Sequence, residues 1–123
     1  MDNRNPEEYG RLSNVTLQVT LLAKSLYERD GEVDGALIVE HFDKTFTALF
    51  PVDYVHDKGF HTWLTACIQD GKERALVIEY DALLERHGLP GEDASELLAG
   101  DDLTPEARAD LSAFLLRWEA AGL

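Results

Sequence analysis

Apolar stripes in this chain end on glycine. Five of its nine glycines (Gly31, Gly71, Gly88, Gly100 and Gly122) each follow a segment whose apolar residues recur at helical spacing. A glycine just past such a stripe closes the last helical turn with a left-handed residue. A sheet would need different punctuation, and no Asn-Gly dipeptide separates two alternating runs here. No fixed-period repeat, low-complexity tract or interior linker breaks the pattern. The spacing predicts an all-α fold, a compact single-domain bundle of five to six helices over 13–123, behind a flexible polar arm at 1–12.

The most completely signalled helix is 104–122. Ala107, Leu111, Phe114, Leu115 and Trp118 fall on one stripe, Thr104 stands at the N-cap, Pro105 at the first helical position and Gly122 past the end. This helix is expected to face the core, with the others packed against it. Upstream, Ser13 is read as the cap of a helix to Asp30, where two periods compete. Val15, Leu17, Val19 and Leu21 alternate as in a strand, whereas Val15, Val19, Leu22 and Leu26 form a helical stripe. Length and the Tyr-Glu-Arg-Asp-Gly ending favour the helix.

A second helix, 34–50, carries Val39, Phe42, Phe46, Leu49 and Phe50 on one face, read as core, and Pro51 stops it. The apolar residues of the connector 51–56 are expected to tuck under the bundle. Helices at 57–70, ended by Gly71, and at 72–87 come next. The ALVIEY run of the latter has strand propensity, but its Arg-His-Gly-Leu-Pro close is a helix stop. A short helix at 93–99 has Asp93 and Glu96 at capping-box spacing.

Charge is the total that bears most on function. The 123 residues carry 24 acids against 11 bases, a formal charge of −13. Direct binding to a nucleic-acid backbone is disfavoured, because that affinity comes from cations displacing counterions. No apolar run approaches the roughly 20 residues of a membrane span, and one cysteine, Cys67, permits no internal disulfide. A cytoplasmic protein is the expectation.

Catalytic signatures are missing. No Gly-x-Ser-x-Gly, phosphate-cradling glycine loop or dinucleotide fingerprint occurs. His41, His56, His61 and His87 come from different segments; only His61 has a carboxylate, Asp57, at i−4. Cys67 lies on an apolar stripe and reads as a small buried hydrophobe. Glu40 and Asp43 make a Glu-x-x-Asp fragment without the Glu-x-x-Glu helix that pyrophosphohydrolases pair with it. The chain is read as a non-enzyme without a cofactor.

Asp30, Glu32 and Asp34 occupy alternate positions, Gly35 follows, and helices flank the segment. This resembles a calcium-binding EF-hand loop. The resemblance implies a cation site over 30–41, but the twelfth position, which should hold a bidentate carboxylate, is His41, with Glu40 one residue early. A metal-binding helical bundle is therefore the alternative reading, and no metal is assigned.

Two stretches hold most of the negative charge. Residues 28–43 contain six acids and one base, and 92–110 contain seven acids and one base. Helix dipoles account for Asp34, Asp93 and Glu106 at N-termini, but not for Asp30, Asp101 and Asp102. The expectation is a protein-binding module, an inhibitor or adaptor of the immunity-protein or phage-decoy kind. Its partner would be a basic protein, for instance a nuclease or nucleic-acid-binding complex, with a second copy of the chain as another candidate. The expected contact residues are Asp30, Glu32, Asp34, Asp101, Asp102 and Glu106, with Tyr27 and Tyr54 as aromatic anchors.

Overall fold

A computed structural model describes the backbone of residues 6–123 and the side chains from Arg11 onward. Among the described residues there are five α-helices and no strand: α1 (Pro6–Asp30), α2 (Gly35–Leu49), α3 (Lys58–His87), α4 (Ala94–Ala99) and α5 (Pro105–Ala120). A 3-10 turn, Tyr54–His56, precedes α3. The fold is all-α. Its contacts gather into two compact units, Met1–Lys72 and Glu73–Leu123. Part of the expected arm, 1–5, lies outside the described residues. The rest is helical, so α1 starts at Pro6 and Ser13 stands inside it.

In the first unit the competition between periods resolves as a helix. Val15, Val19, Ala23 and Leu26 are buried, while Leu17 and Leu21 face out at 46% and 44% exposure. Asp34 caps α2, its carboxylate accepting from the Ala36 amide at 2.9 Å. Phe46 is fully buried, and five aromatic rings (Phe42, Phe50, Tyr54, Phe60 and Trp63) have centroids 5.1–5.9 Å from its own. Most of these pairs are edge-to-face, the arrangement the ring quadrupole favours. Of the connector's apolar residues Tyr54 is buried as expected, whereas Val52 is fully exposed and Val55 half-exposed, so those two do not tuck in.

Gly71 does not end a helix. It lies within α3, which runs unbroken where two helices were expected. A Cβ at this position would stand 2.6 Å from the Thr20 carbonyl oxygen and 2.8 Å from both Ala23 Cβ and Lys24 N. Here glycine permits close approach of α3 to α1, a role that local spacing cannot distinguish from a stop.

The second unit holds the C-terminal part of α3, α4 and α5. Two of its ends close as anticipated. Gly88 and Gly122 take positive φ of 61° and 79°. The Leu89 amide donates to the Leu84 carbonyl at 2.9 Å and Gly88 to Glu85 at 3.2 Å, the paired bonds of a Schellman cap. Thr104 caps α5 through Ala107 at 3.1 Å. Ala107, Leu111 and Phe114 are buried as predicted, but the core cluster around Phe46 contains no α5 residue among the described residues. Leu115 and Trp118 are half-buried.

Candidate binding cleft

The second unit contains an open cleft of about 310 Å³ lined by Val77 and Tyr80 of α3, Asp93, Ala94 and Ser95 at the start of α4, and Phe114, Leu115 and Trp118 of α5. On the α4 side it is lined by the small residues Ala94 and Ser95. Tyr80, Phe114 and Trp118 form a continuous wall, with ring centroids 4.9 Å apart for Tyr80–Phe114 and 6.0 Å for Phe114–Trp118.

Side-chain bonds fix the frame of this cleft. The Tyr80 hydroxyl donates to the Glu92 carbonyl, tying α3 to the segment before α4. Arg108 donates to the Leu98 and Gly100 carbonyls, both at 2.9 Å, tying α5 to the end of α4. His87 and Arg86 of α3 meet the Asp110 carboxylate of α5 at 2.7 and 3.3 Å, and Arg117 pairs with Glu79. The His87–Asp110 pair could not be found from spacing, because its members are 23 residues apart.

The cleft is electronegative. Burial pushes the Tyr80 phenol above its ordinary value, and the carboxylates of Asp93, Glu92 and Glu96 push it further. Asp93 occupies the N-cap position of α4 with extended backbone, yet its side chain makes no capping bond. The expected capping box with Glu96 therefore does not form, and the Asp93 carboxylate lines the cleft instead.

The contact residues expected from sequence divide between the units. Asp30, Glu32, Asp34, Tyr27 and Tyr54 belong to the first, and Asp101, Asp102 and Glu106 to the second. Asp30 is engaged by Arg29 at 2.7 and 2.9 Å, and the hydrogen bond from that guanidinium, together with its charge, holds the carboxyl below its ordinary value. Asp34 serves as the α2 cap. Tyr27 is half-buried. Tyr54 is no surface anchor: it is 3% exposed, packed in the Phe46 cluster, with its hydroxyl donating to Asp43. Its aromatic neighbours recruit it to the core. Glu32, Asp101, Asp102 and Glu106 are exposed and have no ion-pair partner among the described residues.

Other titratable candidates make local contacts. Asp57 accepts from the Phe60 amide at 2.9 Å, capping the start of α3, while the His61 ring meets the Val55 carbonyl. Asp57 thus does not orient His61 through its side chain. His56 pairs with Asp53 at 2.9 Å, which raises its pKa. Cys67 is a buried thiol whose pKa burial pushes up, away from nucleophilic use. Among the described residues no group of three or more His, Cys, Asp or Glu side chains is placed to hold a metal ion, and the 30–41 loop is no exception. No described helix is long and apolar enough to cross a membrane.

No protein-family model matches the chain, and neither a curated protein nor a solved structure does.

Proposed function

We propose that this is a non-enzymatic, protein-binding module that presents carboxylates to a basic surface, acting as an inhibitor or adaptor in the manner of immunity proteins and phage decoys. The observation that carries the reading is the cleft of the second unit, an aromatic wall beside the acid-rich stretch 92–110. Aromatic side chains supply contact area at low entropic cost, and carboxylates supply steering and choice of partner. Asp101, Asp102 and Glu106, whose charge no described cation offsets, are the steering residues; Glu32 supports the same role from the first unit. A nuclease or nucleic-acid-binding complex is the partner class whose basic groove suits such a surface. A reducing, cytoplasmic setting accords with a lone buried thiol.

The test is affinity capture from the native cell with the protein and with its Asp101→Lys/Asp102→Lys variant, followed by association kinetics on what is recovered. A basic partner should associate about 10-fold more slowly with the variant at low salt, and the difference should shrink as salt is added. Capture that ignores both the reversal and the salt refutes the reading.

A further inference from the structure

The cleft combines an aromatic wall with a single lining carboxylate. Its volume of about 310 Å³ lies at the lower end of ligand pockets, which run from roughly 300 to 1,000 Å³. One face is the Tyr80–Phe114–Trp118 wall; Phe114 is buried, so the half-buried Tyr80 and Trp118 carry the ring surface that can attract a cation or stack a planar group. Asp93 also lines the cleft, a carboxylate in an N-cap position that caps nothing and has no ion-pair partner among the described residues. Charge and shape here call for a flat cation on an apolar stem. An ammonium is compact and strongly hydrated; a guanidinium is planar, weakly hydrated and forks onto a carboxylate with two parallel bonds.

We infer that the cleft receives an arginine side chain of a basic partner protein, its guanidinium laid on the Trp118 ring and forked to the Asp93 carboxylate. This deepens the proposed function and rests on it for the source of the arginine. The bonds from Tyr80 to Glu92 and from Arg108 to Leu98 and Gly100 fix the walls beforehand, so entry costs little reorganisation.

The two tryptophans of the chain make the experiment internally controlled. The Trp63 indole N–H donates to Thr16 Oγ1 in the first unit at 3.2 Å, whereas Trp118 lines the cleft. A blocked tripeptide with central arginine is titrated into the ¹⁵N-labelled protein while both indole N–H signals are followed. The Trp118 signal should shift saturably and that of Trp63 should stay. Citrulline, which keeps the shape and lacks the charge, should leave Trp118 in place, and lysine should bind several-fold more weakly. Asp93→Asn, at an exposed position that leaves the fold intact, should weaken the arginine probe by about 10-fold, the loss of one charge-assisted fork.

An equal response to citrulline or to lysine, an unchanged affinity in Asp93→Asn, or a shift of Trp63 instead of Trp118 would each overturn the assignment. The two readings fail separately. A basic partner captured through Asp101 and Asp102 while Trp118 ignores arginine removes the arginine slot alone. An arginine slot that fills while no basic partner is captured leaves the slot standing and removes the proposed function.

Discussion

Gly71 lies so close to Thr20 that the Cβ of any other residue would stand 2.6 Å from the Thr20 carbonyl oxygen. The obstructing atoms, that oxygen, Lys24 N and Ala23 Cβ, are backbone or a methyl group directly on it, so no flexible side chain can swing away. The contact sets how α3 meets α1.

Gly71→Ala therefore opposes two effects. In a free helix the change would stabilise by roughly 1 kcal/mol. At this contact, forcing a methyl group into occupied space costs about 1–3 kcal/mol and shifts a helix. The net expectation is a lower urea midpoint for the first unit. A raised midpoint would show that the close approach does not exist in solution.

Tyr54 and Asp43 form the polar edge of the aromatic cluster. The hydrogen bond to Asp43, aided by burial, pushes the Tyr54 phenol up to about 12. In a spectrophotometric titration Tyr54 should ionise only well above pH 10, or on unfolding, and Tyr54→Phe should remove one late-ionising phenol while leaving Tyr80, whose phenol is also raised. The same variant should lose about 1 kcal/mol of stability, the usual worth of such a bond.

Asp110 ties α5 to His87 and Arg86. The hydrogen bond from His87 lowers its pKa first, followed by the charges of His87, Arg86 and Arg117. A carboxyl whose folded-state pKa is depressed contributes stability that is present above its unfolded value, near 3.8, and is lost as pH falls through the folded value. Thermal melts of Asp110→Asn should therefore depend less steeply on pH below about 4 than those of the parent. Parallel curves would mean that the pair is not formed.

Two N-cap positions should respond differently to truncation. Thr104 accepts from Ala107, and Thr104→Ala should cost about 1 kcal/mol. Asp93 makes no capping bond, and Asp93→Ala should fall within about 0.5 kcal/mol of the parent. Chemical denaturation of both variants checks the pair. A large loss at Asp93 would mean that its carboxylate caps α4 in solution rather than lining the cleft.

Much of the local structure was legible in the residues. The helical stripe of Val15, Val19 and Leu26, the caps at Asp34 and Thr104, and the glycine ends at Gly31, Gly88 and Gly122 depend on neighbours a few positions away. The acid-rich stretches were equally plain, since charge is a property of composition. The cleft was half visible: Phe114, Leu115 and Trp118 share one stripe at helical spacing, of which Phe114 is core as expected while Leu115 and Trp118 are only half-buried.

What the chain determined by itself is its helices, most of their ends and its surplus of negative charge, because hydrogen bonding, backbone conformation and ionisation are settled within a turn or two. Tertiary structure alone decided that Gly71 is a contact and not a stop, that Tyr54 is buried while Trp118 is only half-buried, and that Asp93 is left without a capping role. Each of those outcomes depends on which atoms from a distant segment arrive opposite, and whether they are a carbonyl, an aromatic ring or merely an alanine.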